Sequence, residues 1–129
     1  LKEIANKGGM IGFASYTPFL PKGSDSNIDD CISGMDYLIN VVGEDQVGIG
    51  TDWVQDHDIS FFRYLQRDKG TGRYVTPPYK EVPPMPYGIS KLSQFQNFIP
   101  AMERAGWSTS KIEKILGMNW YLFFKNIWK

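Results

Sequence analysis

Two groups of ionisable residues could do chemistry in this sequence: Asp52, in the run Val47-Gly48-Ile49-Gly50-Thr51-Asp52-Trp53, and the triplet Asp56-His57-Asp58. A short apolar run with glycines two apart suits a strand whose alternate positions face a crowded interior. A carboxylate emerging where such a strand stops lies at the end of the sheet where α/β folds carry ligands and proton-transfer groups. The same residue also fits a plain turn after a buried strand, because Asp readily starts turns. Asp56-His57-Asp58 places carboxylates beside an imidazole, the ingredients of acid–base or metal chemistry. His57 is the only histidine, however, so no two-histidine metal site can be built here. An exposed loop histidine is its simpler account.

Other motifs are fragments. Gly48-x-Gly50 lacks the third glycine and the following helix of a dinucleotide fingerprint. There is no phosphate-binding Walker loop, no Gly-x-Ser-x-Gly elbow and no paired cysteine. Residues 101–124 could pass for a helix-turn-helix, but their tryptophan and phenylalanine content suits packing helices better.

Composition narrows the classes further. The 129 residues carry 14 basic and 14 acidic side chains and no net charge, which argues against nucleic acid or an anionic membrane as partner. No apolar run approaches the roughly 18–20 residues that span a bilayer. Residues 1–7 lack the apolar core of a signal peptide. The start on Leu1 rather than Met leaves the true N-terminus in question. The lone Cys31 excludes an internal disulfide and fits a buried structural thiol.

The elements that must position Asp52 read as follows. Residues 1–7 suit the last turns of a helix stopped by Gly8-Gly9. Residues 10–16 read as an apolar strand, and Pro18 and Pro21-Lys22-Gly23 as a loop. Ile28, Cys31, Ile32, Met35, Leu38, Ile39 and Val42 form one apolar stripe, predicting a helix over 27–42 capped by Ser26 or Asn27 and ended by Gly43. The strand at 47–51 completes a parallel βαβ unit over residues 1–52. Residues 53–90 form a long aromatic, proline-rich excursion with a helical turn or two near 59–65, where Ile59, Phe62 and Leu65 share a face. Residues 91–129 are helical again. Pro100 suits one helix start, Ser108 caps the next, Gly117 closes it, and Asn119 caps the last, with Leu122, Phe123, Ile127 and Trp128 inward.

Three motifs then fall in order: Asn6-Lys7-Gly8-Gly9-Met10-Ile11-Gly12-Phe13, the Asp52 run, and Ala101-Met102-Glu103-Arg104-Ala105-Gly106-Trp107-Ser108 continuing through Ile112 to Gly117-Met118-Asn119-Trp120. Together they resemble the C-terminal part of the membrane (renal-type) dipeptidases, the M19 metallopeptidases. The resemblance implies an α/β fold, the last part of an amidohydrolase-type (β/α)8 TIM barrel, with strand, helix, strand and C-terminal helices supplied by this chain. It implies a two-zinc centre hydrolysing dipeptides, with every metal ligand lying before Leu1, so that this chain holds no metal itself. Asp52 matches the family's catalytic acidic residue, which moves a proton toward the leaving amine. Tyr16 matches a tyrosine over the pocket, a substrate contact. Trp53 stands where the family has Phe, and Ala14-Ser15 where Asn-Phe is more frequent. The partners implied are a dipeptide and the missing N-terminal part of the barrel; unpaired strand edges also predict homo-oligomeric self-association. The alternative is a non-enzymatic module gripping a peptide or glycan with Tyr74 and Tyr79.

Overall fold

Asn27 accepts hydrogen bonds from the backbone of Asp29 and Asp30, and Asp30 reaches back to the Asn27 N–H at 2.9 Å. This reciprocal box starts the main helix, and the apolar stripe behind it buries Ile28, Cys31, Ile32 and Met35. The computed structural model describes residues 1–54, 56–67, 72–73 and 80–128. Its elements in chain order are α1 (Lys2–Asn6), β1 (Ile11–Phe13), α2 (Ile28–Val42), β2 (Val47–Ile49), α3 (Ile59–Gln66), α4 (Phe98–Arg104), α5 (Thr109–Glu113) and α6 (Asn119–Ile127). Among the described residues no helix is long and apolar enough to cross a membrane.

The two strands pair in parallel, Ile11 with Val47, Gly12 with Gly48 and Phe13 with Ile49, as the βαβ pattern predicts. Both are shorter than their apolar runs, yet the pairing continues beyond them: the Gly50 N–H reaches the Phe13 carbonyl at 3.0 Å, and the Ser15 N–H reaches that of Thr51 at 3.1 Å. Strand alternation gives the sheet two unlike faces. Phe13 and Val47 join the core on the side of α2, where a Cβ on Gly34 would collide with the Phe13 ring. The opposite face is built of Gly12 and Gly48, with the Trp120 indole laid on it. Cys31 is fully enclosed in the core. Burial, then the nearby Asp30 charge, pushes its thiol up to about 12, which makes it an inert packing group.

The excursion returns to the body in order. Thr17, itself buried, donates its hydroxyl to the Pro84 carbonyl at 2.6 Å. Tyr87 bridges Ser26 and Ile28 through backbone bonds of 3.0 Å. The helix near 59–65 is a full α3, but Leu65 is exposed and Gln66 takes the buried position one residue on. Tyr74 and Tyr79, on which the binding-module alternative rests, lie outside the described residues.

The C-terminal helices depart from expectation in one respect. The helical path does break at Gly117, whose φ 172° and ψ −21° are not helical; the departure is at Asn119, which lies inside α6 and not ahead of it. Asn119 therefore caps nothing, and its side chain crosses to the sheet instead. The rotation that follows turns Trp120 inward, while Leu122, Ile127 and Trp128 are exposed.

Candidate active site at the strand ends

Parallel strands deliver their next residues to one end of the sheet, and here that end is fastened. Ser15, with no exposed surface, donates both its N–H and its hydroxyl to the Thr51 carbonyl, at 3.1 and 3.0 Å. Tyr16 and Asp52 each follow one residue farther along the chain.

Asp52 is exposed and has φ 58°, one of two non-glycine residues with positive φ among those described. Asp tolerates this left-handed backbone better than most residues but still pays for it. Its carboxylate makes no ion pair or hydrogen bond with another described residue. Trp53 turns aside to pack edge-to-face on Phe95, with ring centroids 6.2 Å apart, and belongs to the rim of the core. Tyr16 is half-buried, and its ring meets Phe19 edge-on at 5.2 Å.

Asp56-His57-Asp58 resolves into a helix start. Asp58 accepts from the Ser60 and Phe61 N–H groups at 2.8 and 3.3 Å and so caps α3. The Ser60 hydroxyl, then these N–H groups, hold its carboxyl below the ordinary range. His57 is exposed and stacks on Phe61 at 4.0 Å. Among the described residues, no three His, Cys, Asp or Glu side chains gather closely enough to hold a metal ion.

What sequence reasoning missed is the support under the strand. Trp120 Nε1 donates to the Ile49 carbonyl at 3.1 Å, and Asn119 Nδ2 to those of Val47 and Glu44 at 2.8 and 2.7 Å. Lys114 adds ion pairs to Asp45 and Glu44 just before β2. The period-two glycines were the available signal, since glycine marks close approach by another group.

Residues 1–62 match the family model for membrane dipeptidase, peptidase family M19. An amidohydrolase from Pseudomonas aeruginosa is 39% identical and superposes with a TM-score of 0.92, over 98% of this chain and 38% of that one. A metallopeptidase from Rhodobacter sphaeroides, liganded with a phosphinate mimic of the dipeptide L-Ala-D-Ala, shares the fold at 23% identity and TM-score 0.66, over 95% of this chain and 28% of that one. A dipeptidase of family M19 does so at 23% identity and TM-score 0.67, over 97% and 29%. An uncharacterized protein in the pqqA 5' region of Klebsiella pneumoniae is 24% identical over the whole of this chain, which spans 39% of that relative's length. Over its first 62 residues the chain matches the membrane dipeptidase family, peptidase family M19, and it spans less than two fifths of the length of the relatives it matches.

Proposed function

We propose that this chain forms the closing part of a zinc-dependent dipeptidase barrel and supplies its proton carrier, Asp52. The observation that carries the reading is the Ser15–Thr51 clamp, which sets Tyr16 and Asp52 at the carboxyl ends of neighbouring parallel strands. Catalytic groups of parallel barrels sit at that end. The strained backbone at Asp52 supports it, because left-handed non-glycine residues gather where function requires them. The R. sphaeroides metallopeptidase holds a dipeptide mimic, and a dipeptide is the substrate class proposed here.

In this reading Asp52 accepts a proton from the attacking water and returns it to the nitrogen of the leaving amine as the peptide bond breaks. Tyr16 contacts the bound dipeptide beside it. The zinc ligands, in this reading, lie in a part of the barrel outside these 129 residues, which carry a single histidine. On the same reading residues 1–52 are the βαβ unit, 53–90 a long aromatic, proline-rich loop and 91–129 the C-terminal helical part.

The barrel reading draws support from the sheet's unfinished side. The edge of β1 away from β2 opens on a cavity of about 610 Å³ lined by Gly12, Ala14, Leu20, Pro21, Tyr37 and Leu38, among others. A further parallel strand and its helix would fill it. On the other side, the Val47 and Ile49 carbonyls held by Asn119 and Trp120 each keep a second lone pair for a closing strand.

Dipeptide hydrolysis and zinc content, measured on the isolated 129 residues, test this division of labour. The expected result is no turnover and no stoichiometric zinc. Robust hydrolysis with bound zinc would overturn it.

A further inference from the structure

The face of the sheet opposite α2 carries glycine at both paired positions, Gly12 and Gly48, and the Trp120 indole occupies the space their side chains would need. A Cβ at Gly48 would overlap the ring, with Cδ1 at 2.7 Å and Cε2 at 3.0 Å; one at Gly12 would meet Cζ2 at 3.4 Å. Gly12 and Gly48 together are a seat for an indole, while a Cβ at Gly50 would face the Gly12 backbone instead.

The seat places the indole N–H on the backbone leading to Asp52. The Gly50 N–H reaches across to Phe13, so the Ile49 carbonyl of the same peptide unit points away from β1. Trp120 Nε1 takes that carbonyl at 3.1 Å. Two residues later Ser15 holds the Thr51 carbonyl, and Asp52 follows in its left-handed turn. Gly50, between the two clamps, is exposed and has no side chain with which to fix itself. A glycine there has more freedom to lose than any other residue, so the strand end depends on what grips either side of it.

We infer that Trp120 is a positioning residue for the reaction: its indole, seated on Gly12 and Gly48 and bonded to Ile49, fixes the end of β2 and with it the Asp52 carboxylate. The inference rests on the role proposed for Asp52. Trp120 touches no reacting atom and acts through the strand.

The test uses the active, complete protein that carries this chain, with Trp120→Phe and with benzothienylalanine at position 120, which keeps the ring shape but replaces the N–H by sulfur. Both should lower kcat for Ala-Ala hydrolysis about fivefold to tenfold, the effect of one hydrogen bond, while KM stays within about twofold. Amide exchange at Gly50 and Ser15 should quicken by a similar factor, with amides within α2 unchanged. If Trp120→Phe does not fold, the isosteric variant supplies both readouts. Unchanged kcat and unchanged exchange at Gly50 and Ser15 would overturn the inference. So would a lower melting temperature with kcat per folded molecule intact, which would make Trp120 merely structural. A silent Asp52→Asn control, by contrast, would sink the role of Asp52 itself while leaving the exchange result to report the clamp.

Discussion

Ser15 closes the β1–β2 pair by giving two hydrogen bonds to a single acceptor, the Thr51 carbonyl, at 3.1 and 3.0 Å. Both lone pairs of that oxygen are then used, and both donors come from one buried residue. The serine thus has a structural purpose: it ties together the two chain ends that lead to Tyr16 and Asp52. Ser15→Ala keeps the backbone bond and loses the hydroxyl. It should cost about 1 kcal/mol of stability, read from the urea midpoint, and lower turnover in the active protein. Wild-type stability and turnover would show that the N–H alone suffices.

The glycine seat makes a graded claim. Gly48→Ala drives a methyl into the indole, whereas Gly12→Ala makes an ordinary contact at 3.4 Å. Overpacking of this kind costs about 1–3 kcal/mol, so denaturant unfolding should rank Gly48→Ala well below Gly12→Ala. Combining Gly48→Ala with Trp120→Leu should recover part of the loss. Equal, small effects at both glycines would contradict the seat.

Acid should loosen the start of α2 in a specific way. The Lys22 ammonium at 2.7 Å, then the Asn27 N–H, hold the Asp30 carboxyl below its ordinary 3.8. Folded Asp30 therefore binds fewer protons than unfolded Asp30 near that pH. Its contribution is complete above 3.8 and disappears as pH falls through the lower folded value. Asp30→Asn should lower stability at pH 6 and flatten its decline between pH 4 and pH 2, as followed by thermal unfolding. An acid limb identical to wild type would remove Asp30 from the account.

Much of this fold was legible because it is local. The stripe from Ile28 to Val42, the Asn27 cap and the two apolar runs specify a βαβ unit from short-range pattern alone, and the structure has it. The α6 face was not legible, since its phase is set by the non-helical backbone at Gly117, which apolar spacing alone does not reveal. The site divides in the same way. Asp52 stands after a glycine-rich strand, a place that suits a turn as well as a site, and its candidacy rests on the family resemblance. The Ser15–Thr51 clamp and the Trp120 seat join residues 36 and 71 positions apart, and only the folded chain brings them into contact.

The open side of β1 carries a further expectation. Gly12 has no strand beyond it among the described residues, and an apolar cavity lies alongside. An unpaired strand edge beside apolar surface invites association. Sedimentation velocity on the isolated chain should show concentration-dependent self-association. A stable monomer with one cooperative unfolding transition would speak against an unfinished barrel.

The most direct measurement is steady-state hydrolysis of a dipeptide such as Ala-Ala by the complete, metal-loaded protein and its Asp52→Asn variant. General acid–base catalysis contributes about 10²- to 10⁴-fold. The account predicts a fall in kcat of that size with KM little changed and the fold intact. A variant that turns over at the wild-type rate would contradict Asp52 as the proton carrier.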